Sequence, residues 1–256
     1  MTKPPEKTEG DPLWANLRKL TAARIGLKRS GASLATGPLL DFQLAHARAR
    51  DAVHALLDAE RLAAELSGLD LPVITVASAV ENKAAYLMRP DLGRQLALEA
   101  DARLAQHRGL YDVAFVISDG LSASAVQSHA APVLTAIVPN LRNQGWRIAP
   151  IVIARHGRVA IGDAVAAALG ATCAAVRIGE RPGLSAPDSM GAYLTWQPGP
   201  QSTDADRNCM SNIRADGIGY TDAAFKLAHL LGAIRMRGLS GVQLKDDSDR
   251  LLIGDT

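Results

Sequence analysis

The chain is expected to fold as an α/β protein: a Rossmann-like, mostly parallel sheet flanked by helices, with a mainly helical N-terminal part. Three observations carry that expectation. From about residue 109 onward, apolar runs of strand length alternate with helical segments, a pattern that implies parallel pairing through right-handed crossovers. The chain is 48% hydrophobic but only 4% aromatic, and an apolar fraction built on Ala, Leu, Val and Ile suits helices packed on a sheet. Its 256 residues are enough to bury a full core.

Taken in order, residues 1–20 form a charged, proline-bearing arm in which 13–20 can make one amphipathic turn or two. Residues 21–34 are Gly/Ser-rich with interspersed basic side chains and read as a solvated loop. Thr36 followed by Pro38 marks a helix start with Thr36 as cap. The spacing of Leu40, Leu44, Ala47, Asp51 and His54 carries that helix on toward Ser67. Residues 73–77 are a strand, and Arg89-Pro90 a turn with a helix starting near Asp91. These elements make up the helical part, 21–108. The Rossmann-like part, 109–242, begins with a buried strand at 113–118 that ends at Asp119-Gly120. A helix over 122–143, a strand over 146–154, a partly helical 159–169 and a third strand over 172–178 follow. Residues 193–196 are a candidate fourth strand and 221–236 a final helix. Residues 243–256 read as a polar tail.

Several function classes drop out early. Net charge is +2 with both signs mixed along the chain, so neither nucleic acid nor a membrane surface is an expected partner. No window approaches eighteen uninterrupted apolar residues, and the N-terminus lacks the apolar core of a secretory signal. Cys173 and Cys209 are too few for a disulfide framework or a cysteine-built zinc site, so the cytoplasm is the expected setting. Gly-x-Gly-x-x-Gly and the phosphate loop ending in Gly-Lys-Ser/Thr are absent, which argues against nicotinamide and nucleoside triphosphates. Gly-x-Ser-x-Gly and His-Glu-x-x-His are absent as well. His46 and His54, eight apart, read as ordinary half-buried helix residues.

What remains is a set of loops where strands end, the usual ligand edge of an open α/β sheet. Gly179-Glu180-Arg181-Pro182-Gly183 follows the third strand; Pro182 fixes one backbone angle and Gly183 permits positive φ, so this loop is built to hold a shape. Residues 118–124 either offer backbone N–H groups to a polar ligand or simply cap a helix through Asp119 and Ser122. Residues 157–163 either let backbone and Val159 approach a flat ligand or make a tight turn into a helix. Residues 204–213 surround Cys209 with the hydrogen-bonding side chains of Asp206, Arg207, Asn208, Ser211 and Asn212. A lone cysteine is usually an inert buried thiol.

Taken in order, seven strings resemble the small (light) subunit of ethanolamine ammonia-lyase. They are Leu20-Thr-Ala-Ala-Arg-Ile-Gly-Leu-Lys-Arg-Ser-Gly, Asp41-Phe-Gln-Leu-Ala-His-Ala-Arg-Ala-Arg-Asp-Ala-Val-His and Tyr86-Leu-Met-Arg-Pro-Asp-Leu-Gly-Arg. Then come Asp112-Val-Ala-Phe-Val-Ile-Ser-Asp-Gly-Leu-Ser-Ala, Gly157-Arg-Val-Ala-Ile-Gly-Asp, Ile178-Gly-Glu-Arg-Pro-Gly-Leu and Asp206-Arg-Asn-Cys-Met-Ser-Asn-Ile. Together they span about 20 to 240.

The resemblance implies a radical lyase that uses adenosylcobalamin to convert ethanolamine to acetaldehyde and ammonia. It implies a hetero-oligomer in which the large subunit carries the substrate pocket and this chain covers the cofactor at the interface, with no catalytic residue of its own. Carried over by motif, the cobalamin contacts are Val159, Glu180 and Cys209. Val159 would pack on an apolar edge, Glu180 would accept from propionamide N–H groups, and Cys209 would add a small polarizable contact. The Asp-x-His-x-x-Gly motif does not occur, since Asp51-Ala-Val-His has the wrong spacing. Base-on binding, with the cofactor's own dimethylbenzimidazole on cobalt, is therefore expected. Only about twenty residues precede the first of the strings, which argues against delivery to a bacterial microcompartment. Two other readings of the same loops are a stand-alone domain for a nucleotide-like ligand and a hydrolase using Ser118 or Ser122 with Asp119.

Overall fold

A computed structural model describes residues 12–248. It begins with α1 (Pro12–Leu17) and a two-residue hairpin, β1 (Arg29–Ser30) with β2 (Ser33–Leu34). Residues 1–11 of the expected arm and 249–256 of the expected tail lie outside the described residues.

Helix α2 (Thr36–His54) starts where expected, but its cap position is Ala35 with no side-chain hydrogen bond, so Thr36 is not the cap. The helix does not continue to Ser67. The backbone turns extended at Ala55 (ψ 143), and α3 (Ala59–Leu66) begins afresh with the Asp58 carboxylate accepting from Arg61 N. Asp58 is itself held by Gln127, whose Oε1 accepts its N–H, so a tertiary contact reinforces a capping side chain. Ala52 is the one buried residue of α2, and His46 and His54 are exposed rather than half-buried.

Strand β3 (Val73–Ala77) falls where the sequence predicts. The helix expected near Asp91 does not form; Leu92–Arg94 makes a single 3₁₀ turn between α4 (Lys83–Met88) and α5 (Leu98–Ala105). Residues 95–97 are drawn out straight because Ala79 N bonds to Gln95 O and Ala97 N to Ala77 O.

The remaining elements are β4 (Tyr111–Ser118), α6 (Ala123–Asn143), β5 (Ile151–Arg155), α7 (Ile161–Leu169), β6 (Ala171–Gly179), β7 (Met190–Trp196), β8 (Arg207–Ile213) and α8 (Tyr220–Arg237). β5 is shorter than the expected 146–154, since Pro150 has no N–H for the ladder and the residues before it make only the isolated Ile148–Val113 bridge to β4, beside the Arg147–Asp112 ion pair. β8 is an unexpected strand. Its polar sequence suits an edge: Arg207, Met210 and Ile213 are buried while Cys209, Ser211 and Asn212 are exposed.

The six strands β3 to β8 form one sheet in the order β3-β5-β4-β6-β7-β8. The first four pair in parallel, and β7 and β8 are antiparallel additions. Leu62 and Leu66 of α3 join α6 and α8 in the core on one face; Ala100 and Leu104 of α5 join α7 on the other. The expected polar tail is in part a packed one. Leu244 and Ser248 are buried, and Asn208 Nδ2 donates to the carbonyls of Gly241 and Leu244. Among the described residues no helix is long and apolar enough to cross a membrane.

The connection after β4 runs through α6 on one face and that after β5 through α7 on the other. Two adjacent parallel strands thus send their loops apart at their carboxyl ends, which opens a crevice there.

Candidate functional site

The floor of that crevice is tied down by the chain itself. Ser118 Oγ–H lies between the carbonyls of Ala154 (2.8 Å) and Gly157 (3.0 Å), joining the ends of β4 and β5. Asp119 is buried and accepts from His156 N at 2.7 Å. Burial pushes its carboxyl pKa up, against the pull of Lys83 and His156. Burial likewise holds Lys83 below the usual amine range; its Nζ donates to Gly120 O at 2.9 Å. Ser122 caps α6 by accepting from Ala125 N and donates to Pro187 O. Ser118, Asp119 and Ser122 therefore act in the fold. With Ser118 fully buried and bonded to carbonyls, it has no nucleophile's access, and the hydrolase reading loses its residues.

Beside this floor lies a cavity of about 340 Å³ whose walls include Tyr86, Leu121, Arg158, Val159, Glu180 and Tyr193. Val159 and Glu180, from different loops, thus meet in one cavity. Arg158 stacks over the Tyr86 ring at 4.2 Å and donates to Tyr86 O at 2.8 Å, fixing the wall opposite. Gly157 packs against Ser118 and Ile161 of its own chain, so it serves the tight turn into α7.

Cys209 is not in the cavity wall. It is exposed on β8 in register with Tyr193. Burial raises the pKa of both groups, most strongly that of Tyr193. Cys209 therefore backs the tyrosine that lines the cavity, with its own outer side open.

Glu180 is the most firmly held side chain here. Its N–H bonds to Ser189 O at 2.9 Å, and its carboxylate accepts from Ser189 Oγ, Ser211 Oγ and Asn212 N. Gly183 does not use positive φ; the loop is instead closed by Gly183 N bonding to Ala186 O at 3.0 Å. The tight residue is Gly179, packed against the backbone of Asp119 and Ser122.

Sequence reasoning missed Tyr86, Arg158, Tyr193 and Ser189 as site residues. Tyr86 and Arg158 lie inside strings already singled out, so a signal existed for them. Ser189 has none, because its role follows from the antiparallel return of β7 beside Glu180.

A family model described as ethanolamine ammonia-lyase light chain matches residues 11–245. The chain is 51% identical over 245 residues to the ethanolamine ammonia-lyase small subunit of Xanthomonas campestris pv. campestris, covering 94% of this chain and 90% of that one. It is 53% identical over 234 residues to the small subunit of Rhodopseudomonas palustris, covering 91% and 90%. With that of Azotobacter vinelandii it shares 48% identity over 240 residues, covering 92% and 89%.

Proposed function

The chain belongs to the ethanolamine ammonia-lyase light-chain family, and on that premise we propose that it covers base-on adenosylcobalamin where it meets the large subunit of a hetero-oligomeric ammonia-lyase. The assembled enzyme converts ethanolamine to acetaldehyde and ammonia in the cytoplasm. When bound, the cofactor supplies the radical chemistry; this chain supplies position and shielding.

The observation that carries this reading is the meeting of Val159 and Glu180 in one cavity at the carboxyl ends of the parallel strands. The residues suit the group. Val159, Leu121 and the rings of Tyr86 and Tyr193 offer apolar surface to a flat macrocycle, and Glu180 offers a carboxylate to propionamide N–H donors. About 340 Å³ is near the lower end of the roughly 300–1,000 Å³ of small-molecule pockets. It holds one part of a corrinoid, which leaves the rest for the partner. Cys209, open on its outer side, extends the contact beyond the cavity.

Co-expression with the large subunit tests this. The complex should release acetaldehyde only with cobalamin added, and this chain alone should release none. In the cob(II)alamin form, electron paramagnetic resonance should show nitrogen splitting unaffected by ¹⁵N-histidine. Activity from this chain alone, or splitting that tracks the histidine label, would refute the reading.

The face that meets the large subunit includes α2. Leu39, Leu40, Phe42 and Leu44 are all exposed on a helix with one buried residue, and Leu40 and Leu44, one turn apart, share a face, open apolar surface of the kind that marks an interface. The double variant Leu40→Glu, Leu44→Glu should stay folded alone, within about 0.5 kcal/mol of the parent as for most surface changes, yet fail to co-purify with the large subunit. Retained co-purification would remove α2 from the interface.

A further inference from the structure

We propose that Ser189, Ser211 and Gly191 are positioning residues that hold the Glu180 carboxylate in one orientation and leave it a single open acceptor site for an N–H of the cofactor. The proposal rests on Glu180 being a cobalamin contact, as argued above.

Three donors from two segments converge on this carboxylate. Ser189 lies one residue before β7, and Ser211 and Asn212 lie on β8. Oε2 accepts from Ser189 Oγ and from Asn212 N at 3.2 Å; Oε1 accepts from Ser211 Oγ. A carboxylate offers about four lone-pair sites. Three are taken within the chain, and the fourth, on Oε1, is left.

Shape reinforces the hydrogen bonds. A Cβ on Gly191 would lie 3.0 Å from Glu180 Oε1, 3.3 Å from its Cγ and 3.2 Å from the Tyr193 ring. A side chain at 191 would press both the glutamate and the tyrosine to give by a few tenths of an ångström. Asn212 presents its N–H from a left-handed conformation, φ +62, with its side chain bonded to Arg214 Nε at 2.8 Å. Nothing in the loop from Glu180 to Ser189 needs this convergence for its own closure, since Glu180 N to Ser189 O and Gly183 N to Ala186 O already provide that.

A free glutamate would be immobilised only on binding. Having it ordered beforehand removes that cost, worth roughly three- to tenfold in affinity for one side chain. A serine pair that served only to join strand ends would affect stability without affecting cobalamin through Glu180.

The two-subunit complex and cyanocobalamin separate these cases by equilibrium dialysis. Glu180→Ala should weaken binding about tenfold or more. Ser189→Ala with Ser211→Ala should weaken it roughly three- to tenfold, and the Thr pair, which keeps both hydroxyls, should restore it. In a Glu180→Ala background the serine changes should have no further effect, because coupled residues are not additive. Gly191→Ala approaches the same point sterically and should weaken binding less in the Glu180→Ala background than in the parent, the remainder reporting the Tyr193 ring. Serine effects that persist undiminished in the Glu180→Ala background overturn the proposal. So does parental affinity in the Ser→Ala pair when Glu180→Ala is weakened. If Glu180→Ala itself binds as the parent does, the contact assigned to Glu180 falls, and the proposal with it.

Discussion

Gly179→Ala is expected to lower the thermal midpoint by roughly 6–12 °C and to weaken cobalamin binding tenfold or more, while Gly183→Ala in the same loop changes neither. A Cβ at 179 would lie 2.0 Å from Ser122 O and 2.6 Å from Asp119 O, whereas ordinary contacts begin at 3.4 Å. Both obstacles are backbone, so relief requires the end of β6 to part from the 119–122 loop. That separation strains the bond from Leu121 N to Gly179 O, 3.0 Å. Overpacking typically costs about 1–3 kcal/mol; with both obstacles backbone this change belongs at the upper end, about 3 kcal/mol, and each kcal/mol is worth about 2–4 °C in a domain of this size. The cavity loses shape at the same time, because Leu121, Gly179 and Glu180 all form its wall. A misplacement of about an ångström is enough to cost a binding geometry much of its value. A Cβ on Gly183, by contrast, meets nothing nearer than 3.8 Å. Scanning calorimetry and dialysis of the two variants side by side check this. A silent Gly179→Ala, or a Gly183→Ala as damaging as Gly179→Ala, would show that the loop's shape depends on something other than this close approach.

That contrast marks a limit of sequence reading. The string Gly-Glu-Arg-Pro-Gly announces a shaped loop, but backbone freedom was assigned to the second glycine, while the structure constrains the first. Steric approach between segments sixty residues apart leaves no trace in local spacing. The parallel strands were legible because β4 and β6 are buried apolar runs, and α6 because Ser122 sits where a cap belongs. β8 was not, since a half-exposed edge strand carries polar residues that read as a loop. Arg177 breaks the apolar run of β6 yet is fully buried, stacked over Phe115 at 4.5 Å, its pKa pushed down by burial to about 9. Val159 and Glu180 were legible as family motifs. Their meeting in one cavity was not, because it depends on strand order.

Asp163→Ala is expected to be the most destabilising single change among the site's supporting residues, by about 3–5 kcal/mol. Arg207, with its side chain 2% exposed, donates to Asp163 Oδ1 at 2.7 Å and Oδ2 at 2.6 Å, and to Thr195 Oγ1 at 2.9 Å. Removing the carboxylate leaves a buried guanidinium without its bidentate partner. Asp204, 3.7 Å from Nε but 93% exposed, cannot replace it. The change should lower the midpoint by roughly 6–20 °C, and adding Arg207→Met should recover much of the loss, since an apolar pair of similar shape avoids the stranded charge. The pair also bears on function. Asp163 lies in the first turn of α7, just after Val159, and Arg207 begins β8, two residues before Cys209. It thus ties together two of the three motifs assigned to cobalamin. The double variant should therefore regain stability while still allowing the Val159 loop and β8 to drift apart, and its affinity for cyanocobalamin should stay below the parent's. Full recovery of both stability and affinity in the double variant would mean that apolar packing alone fixes that spacing; no recovery of stability would mean that the stranded charge is not what Asp163→Ala costs.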